Sequence, residues 1–220
     1  MNKTLKRILY YILGMVIISY GVAFMIKAAY GLSSIDAASL GLKHLLAEVI
    51  ETITIGEATI IVNILLVLIS EAIKPSLSRL LAIPVSIVFG KALDGALWTI
   101  NWFEFNDITG PIFFCLGGLM TPFGSAFVVT ADFPPLAGDT VVASLLYRFK
   151  GNASKAKTTA EILFFSMAVL FCALADIFTE FKFTDGLNMY SFFLFGIASL
   201  FFPKFLSKVQ GGYEYVQLLY

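Results

Sequence analysis

LGMVIISYGVAFMIKAAYGLSSIDAASLGL (Leu13–Leu42) and LGGLMTPFGSAFVVTADFPPLAGDTVVASL (Leu116–Leu145) align without a gap at a constant offset of 103 residues. Eight of the thirty positions are identical: Leu13/Leu116, Gly14/Gly117, Gly21/Gly124, Ala23/Ala126, Phe24/Phe127, Ala28/Ala131, Asp36/Asp139 and Leu42/Leu145. Tyr20/Phe123 and Tyr30/Phe133 are near matches. Two unrelated segments this apolar would share roughly two or three positions by composition alone. The chain therefore reads as a tandem of two related halves. Each half carries an Asp just after a stretch broken by Gly or Pro. In a membrane chain, a repeat with an interrupted helix is the sequence feature that points best to a transporter-like binding site.

Composition supplies the membrane. The 220 residues are 59% hydrophobic and 15% aromatic, with a mean hydropathy of +0.88, well above an ordinary soluble domain. Formal net charge is zero at pH 7, so composition implies no nucleic-acid or other strongly charged partner. Cys115 and Cys172 lie in apolar runs without metal-ligand spacing and read as small core residues. The start, with Lys3, Lys6 and Arg7 before an apolar run, imitates a signal peptide. No small-residue cleavage site follows, so it reads as a retained first span.

A bilayer core needs about 20 apolar residues per helix. Six segments qualify: 6–28, 55–73, 79–99, 110–130, 157–178 and 186–206. Two shorter apolar pieces, 36–47 and 139–149, cannot span and read as re-entrant or interfacial helices. Each follows an irregular link, Tyr30-Gly31-Leu32-Ser33-Ser34-Ile35 in one half and Phe133-Pro134-Pro135-Leu136-Ala137-Gly138 in the other. Gly and Pro break helices, and Ser or Asp restarts them by accepting backbone N–H bonds. The expected fold is an all-α membrane protein of six transmembrane helices. Residues 1–108 form the first repeat, 109–210 the second, and 211–220 a C-terminal tail.

Lys and Arg concentrate in cytoplasmic loops. Here they fall at the N-terminus, at Lys74 and Arg79, at Arg148, Lys150, Lys155 and Lys157, and at Lys204 and Lys208. The other links carry Glu48 and Glu51, Glu104 and Asp107, and Glu180 and Asp185. The alternation fits six spans with both termini in the cytoplasm of a bacterial cell and the chain in its plasma membrane. Three spans per half is an odd number, so the second repeat is expected to be inverted. The Asp36 helix would then dip in from outside and the Asp139 helix from the cytoplasm, their N-termini meeting near the midplane.

Backbone groups in lipid must be hydrogen-bonded internally, so broken links at membrane depth survive only inside protein or beside a water-filled cavity. That singles out 29–36 and 132–139 as site linings. Asp36 and Asp139 would cap their helices; the same carboxylates can also take a cation or a polar substrate. Glu57 and Glu161 recur at an offset of 104 at the start of the following span. A carboxylate at the bilayer centre costs roughly 2.5–3.5 kcal/mol, which argues for function unless both stay solvated at an interface. Lys91 and Asp94, three apart on the third span, share a helix face and can neutralise each other. The matching stretch Phe195-Gly196-Ile197-Ala198-Ser199-Leu200 is uncharged, which leaves Asp94 as a single proton or ion site. Ser33, Ser34 and Thr140 add hydrogen-bonding groups.

Other signals are weaker. His44 reads as a polar-face or interfacial residue, Lys27 as a snorkelling one, and Gly90, Gly117, Gly118 and Gly196 as packing positions. Leu136-Ala137-Gly138-Asp139 is a poor version of an intramembrane aspartyl-protease motif. There is no phosphate loop, no metal-spaced His or Cys cluster and no Ser/His/Asp set. The expectation is a non-enzyme without cofactor or metal.

The stretch Gly21-Val22-Ala23-Phe24 … Ala29-Tyr30-Gly31-Leu32-Ser33-Ser34-Ile35-Asp36 resembles the bacterial YczE/YyaS/YitT group of small integral membrane proteins. That group places a Gly-containing stretch and an Asp after its first span. Segment 137–161, Ala-Gly-Asp … Thr-Thr-Ala-Glu, is similar to its second-half pattern. The group's Gly-Pro near the second Asp is replaced here by Phe133-Pro134-Pro135. The resemblance implies a multi-spanning bacterial plasma-membrane protein and leaves the substrate open.

The leading expectation is a small secondary transporter, with Asp36, Glu57, Asp139 and Glu161 lining one central site. An acidic lining suits a cationic or zwitterionic solute, or an anion moved with protons or sodium. A carboxylate in a dry cavity holds its proton and releases it when opened to water, which is how coupling would work. Two alternatives stand beside it: a substrate-binding subunit of a larger uptake complex, and a non-transporting scaffold or regulator. A homodimer in the lipid bilayer is compatible with each.

Overall fold

Nine helices and no strand occur among residues 3–131 and 133–191, which the computed structural model of the chain describes. They are α1 (Lys3–Ala28), α2 (Ser34–Ala47), α3 (Ile55–Ile73), α4 (Leu77–Leu80), α5 (Ala82–Thr99), α6 (Thr109–Thr130), α7 (Ala137–Arg148), α8 (Ala153–Phe178) and α9 (Phe183–Gly186). An apolar chain in lipid has no water for its amide groups, so helices that satisfy their own backbone are the expected result.

Five helical stretches are long and apolar enough to cross a membrane: α1, α3, α4 with α5, α6 and α8. They coincide with the first five expected spans. Most of the expected sixth, 192–206 of 186–206, lies outside the described residues, as does the tail 211–220. The third span is broken at Leu81. Pro84 has no N–H to give the Leu80 carbonyl, and α5 restarts at Ala82 with Pro84 in its first turn, where proline is tolerated. Pro122 sits inside α6 and leaves the Gly118 carbonyl without its amide. The Thr121 hydroxyl reaches that oxygen at 3.5 Å.

α1 and α6 pack along each other and run antiparallel. Gly14 faces the Gly124 carbonyl while Gly21 faces the Gly117 carbonyl. A methyl added at Gly14 would lie 2.7 Å from Gly124 O, and one at Gly21 3.0 Å from Gly117 O, so only glycine allows this approach. Ring pairs extend the seam: Tyr10 with Phe127 (5.7 Å between centroids), Phe24 with Phe113 (5.0 Å), Tyr11 with Phe133 (5.3 Å) and Tyr30 with Phe114 (6.5 Å). The short helices cross over: α2 packs on α8 and α3, and α7 on α3 and α8. α5 lies against α1 and α3.

The bundle has two ends. At one, α1 finishes and α3 begins; Lys27 Nζ donates to Asn101 Oδ1 at 2.7 Å, beside a shallow cleft lined by Ile26, Ile55, Leu97 and Trp98. At the other, α1 begins and α3 ends. There Arg7 Nε donates to the Ala131 carbonyl at 2.8 Å, and Lys74 Nζ lies 3.8 Å from the Tyr147 ring centroid.

Candidate functional site

The N-terminal ends of α2 and α7 touch at one point. A methyl added at Gly138 would sit 3.0 Å from Ile35 Cδ1. Each junction residue is followed by an aspartate, Asp36 or Asp139. Neither is the helix cap expected from the sequence. Ser33 occupies the cap position of α2 and Leu136 that of α7, so both carboxylates stand three residues further in. At that depth they still feel the positive helix end.

The two surroundings differ. Asp36 is 8% exposed. The Ser33 hydroxyl donates to its Oδ2 at 2.5 Å and accepts its backbone N–H at 3.4 Å. Burial pushes the Asp36 carboxyl up to about 6, against the opposing pull of the Ser33 hydrogen bond. Asp139 is half-buried, and Leu136 has no polar atom to offer it. Among the described residues nothing hydrogen-bonds its carboxylate. Burial raises it too, with Lys157 pulling it down and Glu161 pushing it up. The Tyr11 phenol is within electrostatic reach of Asp139 and donates to the Pro134 carbonyl at 2.8 Å. Ser34 is buried, and its hydroxyl has no hydrogen-bond partner among the described residues. Thr140 is fully buried, but its hydroxyl is spent on the Ala137 carbonyl at 2.7 Å. Its own carbonyl accepts from Ser70 at 2.9 Å and Ser144 at 3.1 Å.

The two glutamates that match in sequence do not match in place. Glu161 is buried and pairs with Lys157 at 2.7 Å. Glu57 pairs with Lys91 at 2.9 Å, and both side chains are largely in the open, at 42% and 58% exposure. The helix starts explain this. α3 begins two residues before Glu57, whereas α8 begins eight residues before Glu161. Glu57 completes a capping box with Thr54: Glu57 N–H to Thr54 Oγ1 at 3.1 Å and Thr54 N–H to Glu57 Oε2 at 3.2 Å. Glu161 lies more than two turns along its helix.

Lys91 therefore faces Glu57 and not Asp94. Asp94 reaches from α5 to the start of α3, accepting the Gly56 N–H at 2.8 Å and the Thr54 hydroxyl at 2.7 Å. Gly56 and Gly90 permit this because each faces the other's carbonyl. Lys91, Asp94 and Glu57 form a helix-start cluster at the end where α1 finishes. The structure thus joins the two helix starts through Ile35 and Gly138, with Ser33, Ser34 and Asp36 on the α2 side and Asp139 and Thr140 on the α7 side, where Glu161 is in electrostatic range of Asp139. No interaction between Asp36 and Asp139 occurs among the described residues, and Glu57, Lys91 and Asp94 lie elsewhere.

Two neighbours escaped the sequence reading. Lys157 was legible, because four residues separate it from Glu161 and that spacing pairs opposite charges on a helix. Tyr11 carried no signal; its repeat partner is Phe114. No group of three or more His, Cys, Asp or Glu that could hold a metal ion occurs among the described residues.

Residues 5–183 match the model of the DUF6198 family, a family of unknown function, and the chain belongs to that family. No curated protein and no solved structure matches the chain.

Proposed function

We propose that this chain is a small secondary carrier built from two inverted repeats, with its solute site at the α2–α7 junction. One observation carries the reading: the contacts are self-complementary under exchange of residue i with i + 103. Gly14·Gly124 becomes Gly117·Gly21, Tyr10·Phe127 becomes Phe113·Phe24, and Tyr11·Phe133 becomes Phe114·Tyr30; both members of every pair occur. Ile35·Gly138 becomes itself. A twofold axis does this. It would pass between the middles of α1 and α6 and between Ile35 and Gly138, at half the height of the bundle. The antiparallel α1–α6 pair supports inversion over a parallel duplication.

On this reading the links 29–33 and 131–136 dip in from opposite ends, and α2 and α7 are re-entrant. Asp36 and Asp139 flank the axis, where buried acids hold protons or meet a cation. Asp139 with Glu161 and the tethered ammonium of Lys157 forms a site with one net negative charge. A cationic or zwitterionic solute suits it, coupled to a proton or sodium. The basic end with Arg7, Lys74 and Arg79 would face the cytoplasm of a bacterial plasma membrane. The resemblance to the YczE/YyaS/YitT group agrees with that placement.

A thermal-shift screen of cationic and zwitterionic solutes at pH 5.5 and 7.5 tests this, since a ligand that binds only the folded state raises its apparent stability. The expected result is a pH-dependent shift that Asp139→Asn abolishes, and uptake of that solute by proteoliposomes. Shifts that survive both Asp36→Asn and Asp139→Asn, or bound solute with no flux, would favour a scaffold or a binding subunit.

A further inference from the structure

The turn between α3 and α5 holds a guanidinium that the described residues leave mostly unanswered. Arg79 is 6% exposed, and its Nη1 donates to the Lys74 carbonyl at 2.6 Å. A guanidinium carries five N–H donors. Among the described residues no second acceptor takes from Arg79 and no carboxylate pairs with it. Its remaining nitrogens are not among the enclosed, unpartnered atoms, so they keep an opening to the exterior. A recessed cation without a counter-ion is costly, which suggests that its partner comes from outside the chain.

The nearest acid does not fill that role. Glu71 Oε2 accepts the Ser76 N–H at 2.7 Å and so shapes the turn. Its Oε1 is enclosed and unpartnered, out of reach of an external ligand. Around Arg79 the rim is basic. Lys74 over the Tyr147 ring ties the turn to the end of α7, where exposed Arg148 and Lys150 follow. The Ser76 and Ser78 hydroxyls lie 2.9 Å apart and can turn toward an acceptor. This rim sits where two apolar spans emerge, at the depth of lipid headgroups.

We propose that Arg79, with the Ser76 and Ser78 hydroxyls of the same turn, binds the phosphate of an anionic phospholipid. A guanidinium matches a phosphate with paired N–H donors. The net positive rim selects a headgroup without its own ammonium. The site is separate from the α2–α7 junction and stands whether or not the chain transports.

The test is thermal unfolding of the full chain in detergent with phosphatidylglycerol, phosphatidylcholine or inorganic phosphate at equal phosphate concentration. Phosphatidylglycerol should raise the apparent Tm by several degrees and the other two should not. Arg79→Gln should lose that shift and Arg79→Lys should keep part of it. Should Arg79→Gln fail to fold, the double variant Ser76→Ala/Ser78→Ala, which keeps Arg79 in place, carries the test by a weakened shift. An equal shift with phosphatidylcholine overturns the proposal, as does a full shift with inorganic phosphate alone, which would mark a free-anion site. A full phosphatidylglycerol shift in the folded variants overturns it as well.

Discussion

The Ser33 hydroxyl gives its proton to Asp36 Oδ2 at 2.5 Å and takes the Asp36 N–H at 3.4 Å, closing the start of α2 on itself. The buried carboxylate is thus held by its own helix and by no neighbouring helix among the described residues. Burial raises its proton affinity to about 6, from 3.8 for a free Asp. Between those values the folded chain binds the proton more tightly than the unfolded one. Stability is therefore greatest below about pH 4, falls as pH rises toward 6, and levels off above. Asp36→Asn removes the ionisable group. It should raise the apparent Tm at pH 7.5, by up to about 3 kcal/mol of stability, and raise it much less at pH 4.5, where about a third of that effect remains. Thermal unfolding of both proteins at the two pH values measures it. A parallel pair of pH profiles would show that Asp36 is already charged at no penalty.

Glu161 and Glu57 make a matched comparison, because the repeat equates them and the structure separates them. Glu161→Gln leaves the Lys157 ammonium half-enclosed beside Asp139 alone, and should destabilise by about 2 kcal/mol. Glu57→Gln breaks an exposed pair and should change the apparent Tm little. Chemical or thermal unfolding of the two variants side by side checks the ranking. Equal losses would mean that the two glutamates sit at equal depth.

The five spans were legible because apolar runs near 20 residues have one solution in lipid. The short helices were legible because Tyr30-Gly31-Leu32 and Phe133-Pro134-Pro135 cannot continue a helix. Asp36 and Asp139 were legible as a pair through the offset of 103. Their neighbours were not. Sequence spacing tied Lys91 to Asp94, yet Lys91 reaches across to Glu57 on α3 and Asp94 serves the amide of Gly56. Both contacts depend on how α5 lies against α3, and no local pattern encodes that. Glu57 and Glu161 were expected to share one environment, either lining the site together or both solvated at an interface; the length of α8 ahead of Glu161 separates them.

Gly117 and Gly118 are adjacent in sequence and opposite in role. A Cβ at Gly117 would strike the Gly21 carbonyl, whereas one at Gly118 meets nothing within 4 Å. Gly117→Ala must push α1 and α6 apart and should cost about 1–3 kcal/mol. Gly118→Ala should be neutral or slightly stabilising, since alanine suits a helix better than glycine. The measurement is the apparent Tm of each variant in one detergent. Similar losses at both positions would mean that α1 and α6 do not approach closely at Gly117.

The junction of α2 and α7 can be tested without knowing any solute. Ile35 and Gly138, each the second residue of its helix, lie in contact although 103 positions apart in sequence. Cysteines at these two positions should be joined by a short bifunctional thiol reagent in native membranes. Cys115 is exposed and must first be replaced by Ser; Cys172 is buried and can stay. Cleavage within the 100–108 loop would then leave the two halves linked on a denaturing gel, and reversal of the link would release them. A control pair at Val49 and Gly138, with Val49 exposed beyond the end of α2, should not join. Efficient linkage in the control, or none at Ile35 and Gly138, would remove the meeting of the two helix starts and with it the proposed solute site.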